Sequence, residues 1–186
     1  VPIEQVFVAA ASTAYSFQNA KAADILGVEL DAQFRLGRWS PSLQGFSLNT
    51  NLALIQSDVE VRETGTFIPT TLSRPLEGQA PYVLNLGLNW GSSGGGWTAG
   101  VFYNRIGERL TAAGGSGVPD IYLQPRNSVD ASLRVPLGRS AYMQVKGTNL
   151  LDEDFLSQQS ANGITQLQQV YATGRTVAVK FGWQIY

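Results

Sequence analysis

Apolar and polar residues alternate along most of this chain. The clearest stretch runs from Tyr82 to Trp90. There Tyr82, Leu84, Leu86, Leu88 and Trp90 share one face, while Val83, Asn85, Gly87 and Asn89 share the other. A period of two marks a β-strand whose faces meet different surroundings. The pattern returns in "ILGVELDAQFRL", where Leu26, Val28, Leu30, Ala32, Phe34 and Leu36 oppose Gly27, Glu29, Asp31, Gln33 and Arg35. In "FSLNTNLAL", Phe46, Leu48, Leu52 and Leu54 oppose Ser47, Asn49, Asn51 and Ala53. "WTAGVFYNR" aligns Trp97, Ala99, Val101 and Tyr103 on one side. "SVDASLRVPL" sets Val129, Ala131, Leu133, Val135 and Leu137 against Asp130, Ser132, Arg134 and Pro136. "AYMQVKG" and the closing "GRTVAVKFGWQIY" add two strands, and "IEQVFVAAA" is a weaker eighth. No stretch makes a convincing helix; the best, "FQNAKAAD", is short and leads into a strand. The pattern predicts an all-β, antiparallel up-and-down β-barrel of about eight strands.

The connections alternate in length. Gly37 to Gly45, Gly91 to Gly96 and Gly138 to Ser140 are compact, whereas Ser12 to Asp24, Val59 to Ala80, Leu110 to Asp120 and Leu151 to Gln169 are long. An up-and-down sheet sends alternate links to opposite ends. Short turns at one end and long loops at the other are the asymmetry of outer-membrane barrels. "LDAQFRLGR" and "VDASLRVPLGR" echo each other as two strands entering short turns in equivalent settings.

Composition decides which solvent the apolar face meets. Charged residues make up only 15% of the chain, against a usual ~25%. The polar face holds mainly Asn, Gln, Ser, Thr and Gly, whereas a face in bulk water carries more Lys and Glu. Aromatic residues sit near strand ends, as in Tyr82 and Trp90, Trp97 and Tyr103, and Trp183 and Tyr186. That placement suits the two interfacial girdles of a membrane barrel. A strand of ~10 residues, rising ~3.3 Å each and tilted ~45°, covers roughly 23 Å of bilayer. The apolar face is therefore expected to meet lipid. The polar face, with Glu29, Asp31, Arg35, Asn85, Asn89, Asp130, Arg134 and Lys180, is expected to line the lumen, its charges pairing with one another or with a plug.

Thirteen basic against 14 acidic residues give a net charge of −1, which offers nucleic acid no basic face. The chain has no Cys and no His. That removes disulfides, thiol chemistry and the commonest general base and metal ligand. Without them no familiar nucleophile–base pair can be assembled, so no enzyme, cofactor or metal centre is expected. "DED" (Asp152 to Asp154) lacks the spacing of a calcium loop and is expected to be a solvated loop. "SSGGG" (Ser92 to Gly96) is followed by no Lys-Ser/Thr and is expected to be a turn. The chain starts at Val1 with no signal peptide, as expected if a leader has been removed or the chain is a piece of something longer. Two other readings stay open on the residues alone. One is a self-contained eight-stranded outer-membrane barrel with a structural or small-ligand role; the other is a soluble ligand-binding β-barrel.

Four stretches, in order along the chain, resemble a known family. They are "NAKAADILGVELDAQF", "RPLEGQAPYVLNLGLNW", "GTNLLDEDF" and "GRTVAVKFGWQIY". Together they resemble the C-terminal part of the β-barrel of TonB-dependent outer-membrane receptors. The resemblance implies a barrel of about 22 strands with a plugged lumen. Residues 1–186 would supply the C-terminal wall; the plug domain and the earlier strands would belong to a longer parent chain. It implies uptake of a scarce nutrient such as an iron chelate, vitamin B12 or a sugar across the outer membrane of a Gram-negative bacterium, with TonB acting through the plug. It also implies that the last strand, with Val177, Val179, Phe181, Trp183, Ile185 and Tyr186, is the signal recognised by the outer-membrane barrel assembly machinery. In the family the final residue is usually an aromatic in step with the outward positions; here Ile185 takes that step and Tyr186 lies one beyond.

Overall fold

The computed structural model describes residues 3–7, 15–61, 68–94 and 96–183. Fourteen strands run in chain order: β1 (Ile3–Phe7), β2 (Tyr15–Asn19), β3 (Ala22–Arg35), β4 (Phe46–Glu60), β5 (Ser73–Arg74), β6 (Tyr82–Gly91), β7 (Thr98–Ile106), β8 (Arg109–Ala112), β9 (Ile121–Leu123), β10 (Arg126–Pro136), β11 (Ala141–Thr148), β12 (Phe155–Ala161), β13 (Ile164–Tyr171) and β14 (Thr176–Trp183). Two short 3-10 turns, at Leu36–Arg38 and Pro41–Leu43, are the only helical pieces among the described residues. The "FQNAKAAD" stretch is not helical; it ends β2 and opens β3.

The main sheet is antiparallel, in the order β14-β11-β10-β7-β6-β4-β3, with β5 added beside β4. Each of the seven path strands pairs with the next in an up-and-down meander. The longest pairing, β3 with β4, runs without a slip from Ala22↔Glu60 to Arg35↔Ser47. Within the described residues β3 and β14 are the two edges of this sheet and do not pair with each other. This open arrangement is unlike the first-to-last pairing that a self-contained eight-stranded barrel requires. β1 and β2 form a separate hairpin.

Connections divide by end as their lengths predict. The links from β3 to β4, β6 to β7 and β10 to β11 are short and lie at one rim, termed here the inner rim. The links from β4 to β6, β7 to β10 and β11 to β14 are long and lie at the opposite, outer rim. Two of these long links carry strands where loops were expected. β8 and β9 fall in or beside the Leu110–Asp120 stretch, and the hairpin β12–β13 fills most of Leu151–Gln169. They assemble a second sheet, ordered β13-β12-β9-β8, beyond the outer rim.

Burial is concentrated at that outer end. The buried apolar residues are Ala20, Val59, Val61, Ala80, Leu110 and Ala113, with Val59 and Leu110 wholly enclosed. All flank the long connections. Along the main sheet no described residue forms a layer over the aliphatic face: Val28, Leu30, Leu54, Val101 and Val179 are each about half exposed or more. A soluble sheet would bury such a face against a second layer. An exposed contiguous apolar face of this kind is matched to lipid or to another protein. No helix of the described residues is long and apolar enough to cross a membrane.

The inner rim depends on one glycine. Gly45 adopts a φ of +87°, and a β-carbon there would lie 2.3 Å from the Gly91 carbonyl oxygen. Gly91 donates its N–H to the Gly45 carbonyl at 3.0 Å, which clamps the β3–β4 turn against the end of β6. Gly45→Ala must adopt a disfavoured backbone conformation and also push this contact apart. The expected cost is ~1–3 kcal/mol, read as a lower urea midpoint for unfolding from detergent micelles. An unchanged midpoint would show that the clamp is dispensable.

Candidate functional site

Register fixes the two faces of the main sheet. Asp31 stands opposite Asn51 on β4, Asn51 opposite Asn85 on β6, and Asn85 opposite Asn104 on β7. Their side chains form a continuous ladder. Asn104 donates to the Asn85 Oδ1 at 2.7 Å, Asn85 to the Asn51 Oδ1 at 3.3 Å, and Asn51 to the Glu29 carboxylate at 2.8 Å. All three amides point their donors the same way around the sheet, toward Glu29. An amide both donates and accepts, so a row of Asn side chains can tie four strands together without charge.

Beside the ladder, Phe102 is the one large apolar side chain in the middle of the polar face. It faces Gly87 across the strand pair. β-carbons at Gly87 and Gly100 would sit 3.1 Å and 2.9 Å from its ring. The ring therefore lies flat where two side chains are missing. Together these groups line a concavity of about 370 Å³, bounded by Asp31, Asn51, Asn85, Phe102, Arg126 and Asp130.

The other polar positions fall on the same face by register but do not pair with one another. Asp130 accepts the Asn149 N–H at 3.1 Å and lies 4.0 Å from the Lys146 ammonium. The Arg134 guanidinium stacks 3.9 Å over the Tyr142 ring. Lys180 stands opposite Gln144 and Asn89 opposite Ser47. Arg35 lines a separate concavity at the inner rim. Of the charged positions, Glu29 meets an amide, Arg134 an aromatic ring and Asp130 the Lys146 ammonium.

The opposite face carries the alternating aliphatic residues, bounded at both ends. At the inner rim Phe46 packs on Trp90 with ring centroids 6.3 Å apart, and Phe34 on Trp39 at 5.8 Å. At the outer end Tyr103 donates to the Asn127 Oδ1 at 2.7 Å, and Arg105 donates to the same oxygen and to the Tyr82 hydroxyl. Tyr82 and Trp90 lie about 26 Å apart along β6 at ~3.3 Å per residue. Of the expected signal positions, Val177, Val179, Phe181 and Trp183 share this face on β14 and are exposed. Ile185 and Tyr186 lie outside the described residues.

A polar knot closes the outer rim. Asn149, buried and left-handed at φ 52°, directly follows β11. Its Oδ1 accepts from Arg126 at 3.0 Å and from the Glu153 N–H at 3.3 Å, while its Nδ2 donates to the Thr173 hydroxyl and the Gly174 carbonyl. Glu153 in turn accepts from the backbone and side-chain amides of Asn127. Arg126 also lies 4.3 Å over the Phe155 ring. The middle acid of "DED" is thus a structural acceptor, not the solvated side chain its loop setting suggested. Among the described residues no cluster of three or more acids is placed to hold a metal ion.

At the outer end, β9, β12, Glu108, the Gly117–Asp120 turn and the segment at Thr70 line a second cavity of about 540 Å³. Its wall is braced. Thr70 donates its hydroxyl to the Val118 carbonyl at 2.6 Å, and its N–H to Gly114 at 3.3 Å. Asp120, buried, accepts the Gly114 N–H at 2.6 Å. Glu108 accepts from Gln124 at 2.9 Å. Burial, with Asp120 and Glu108 close by, holds the Tyr122 phenol above its ordinary value, and Arg74 opposes the shift.

A sheet with a hydrogen-bonded polar face, an exposed aliphatic face between aromatic rows, short turns at one rim and a folded head at the other is the wall of a transmembrane β-barrel. Residues 3–150 match the family model described as TonB dependent receptor-like, beta-barrel, and the chain belongs to that family. The family comprises outer-membrane receptors and transporters of Gram-negative bacteria, and that class and location hold for this chain. Comparison with curated proteins and with solved structures gives no match.

Two features of the site were not anticipated from sequence, the amide ladder and the Asn149 knot. Asn49, Asn51 and Asn85 were placed on the correct face, but the ladder follows only from strand register. For Asn149 the available signal was the "GTNLLDEDF" stretch itself, one of the four that carry the family resemblance.

Proposed function

We propose that this chain forms barrel wall, lumen lining and external loops of a receptor that takes up a scarce nutrient across the outer membrane. The plug domain and the earlier strands would come from the parent chain, and TonB would act through the plug. The observation that carries the reading is the two-faced sheet. In hydrocarbon every backbone N–H and C=O must be paired; each interior strand of the meander has a partner on both sides, and among the described residues β3 and β14 each keep one edge open. Those edges suit continuation into further strands of a larger barrel.

In this reading Glu29, Asp31, Arg35, Asn85, Asn89, Asp130, Arg134 and Lys180 face the lumen. The Asn51–Asn85–Asn104 ladder and the Phe102 ring support an uncharged strip in the middle of that face against which a plug can rest. Contact through amides and one ring can be made and broken at low electrostatic cost, which suits a plug that must move. The outward positions of β14, together with Ile185 and Tyr186, serve as the assembly signal. The chain has no catalytic role; family membership in a receptor and transport class supports this, as does the lack of Cys and His.

The test is growth and uptake. Deleting the parent gene should abolish uptake of one scarce nutrient, and deleting TonB should have the same effect. Uptake that survives loss of TonB would refute the reading. Shortening the chain to end at Thr176 should leave protein in the periplasm, because the assembly strand is lost; normal outer-membrane levels would refute the signal assignment.

A further inference from the structure

We propose that the free edge of β13 is a strand-addition site whose occupant is an extended segment of the parent chain. That segment belongs to the outer link of the barrel strand that continues the wall beyond β14. The proposal rests on the reading of this chain as part of a larger barrel and adds the contact that ties its head together.

The outer links are already laced to one another by backbone. The β4–β6 link meets the β7–β10 link at three points. Gly78 donates its N–H to the Leu110 carbonyl at 2.8 Å, Thr70 to the Gly114 carbonyl at 3.3 Å, and Ser116 to the Ile68 carbonyl at 2.7 Å. The β7–β10 link in turn meets the β11–β14 link through β9 and β12, paired from Ser157↔Leu123 to Gln159↔Ile121. Each link thus offers a hydrogen-bonding edge to its neighbour around the wall. The series stops at β13, which among the described residues pairs only with β12. β13 belongs to the link that leads into β14, and β14 is an open edge of the wall itself. A strand added antiparallel to β14 climbs from the inner rim to the outer rim. It therefore enters an outer link on the side where β13 lies open.

The edge is suited to a partner strand. A row of unpaired N–H and C=O groups recruits other strands unless charges, proline or a bulge blunt it. Of these devices β13 has one, the register shift with β12 that falls at Gln168. Its sequence "ITQLQQVY" holds no charged residue and no proline. Ile164, Leu167, Val170 and Tyr171 are all about half exposed or more. The edge is also formed before any partner arrives. Asn162 and Gly163, at φ 51° and 77°, make the two-residue left-handed turn whose twist matches that of its flanking strands. Main-chain bonds to such an edge supply affinity, and exposed apolar side chains on the strand give the added segment something to cover.

The test uses the full parent gene product in outer membranes. Gln166→Cys on β13 is combined in turn with single cysteines along the outer link that neighbours β14, and mild oxidation is read on denaturing gels. Cross-links within one chain should form at alternate positions of that link, the period of a strand. Ser42→Cys at the inner rim should give none with the same series. Hydrogen exchange gives a second reading without cysteines. Deleting that link should speed exchange of alternate amides in Ile164–Tyr171 about tenfold or more, because an edge strand bonds only every second residue inward. Where the deleted form does not assemble, the cysteine series decides. The proposal is overturned if no cross-link forms within the chain, if the cross-links lack the alternation, if they join two copies, or if an assembled deletion exchanges like the parent. In each of these cases uptake that still depends on TonB leaves the receptor reading standing. A parent product without further barrel strands, or absent from the outer membrane, refutes that reading and this proposal with it.

Discussion

Leu86→Arg is expected to destabilise the folded barrel by ~2–4 kcal/mol, the range for a cation facing lipid near the bilayer midplane. Leu86 lies in the middle of the aliphatic face, between the Phe46–Trp90 rim and the Tyr82–Tyr103 belt, and is about one-third exposed. Its neighbour Asn85 points the other way, into the amide ladder. Asn85→Arg loses two neutral hydrogen bonds, about 1 kcal/mol each net, and gains a charge in a polar, hydrated surface. The pair separates lipid from lumen by one position in sequence. Reversible unfolding of the full parent protein in phospholipid vesicles measures both variants. If Asn85→Arg proves the worse of the two, the assignment of faces is reversed.

Asn149→Ala is expected to cost about 3 kcal/mol or more. The side chain and backbone of Asn149 make five hydrogen bonds that join the ends of β10, β11 and β14. Truncation leaves an Arg126 donor, the Glu153 N–H and the Gly174 carbonyl short of a partner, and each unpaired buried group costs ~1–3 kcal/mol unless water replaces the bond. The residue also holds a left-handed backbone, which Asn tolerates better than Ala. Asn149→Gly resolves the two causes, because it frees the backbone and removes the side chain. If the hydrogen bonds dominate, Gly is nearly as damaging as Ala. If Gly restores full stability in urea unfolding, the knot contributes little and the backbone carries the effect.

How far the sequence revealed this fold depends on what lies on either side of each strand. The seven strands of the main sheet were legible because their faces meet unlike media. The polar and aliphatic sets of β3, β4, β6, β7 and β10 fell on the faces that register later gave. The second sheet was missed for the converse reason. β13, "ITQLQQVY", is exposed along its whole length, so no contrast between its faces imposes a period of two. β8 and β9 are too short, at four and three residues, for alternation to register at all. The chain therefore looked like loop wherever it left the region of opposed media. The candidate site divided similarly. Which residues share the polar face could be read from periodicity; which residues touch could not, because Asn149 reaches partners 23 to 25 positions away.

Among the described residues only the head has an interior in the ordinary sense. Val59 and Leu110 are sealed beneath the outer loops, while the wall below keeps its aliphatic side chains on the outside. The two parts thus obey separate rules of substitution. Wall positions are judged by a fluid that accommodates any oily shape, so Leu, Val and Phe can exchange there with little consequence. Head positions are judged by fixed neighbours, as in a globular protein. A lineage that needs a new cavity must repack around Val59 and Leu110 and can leave the strands in the membrane as they were. One barrel can then carry a succession of different heads.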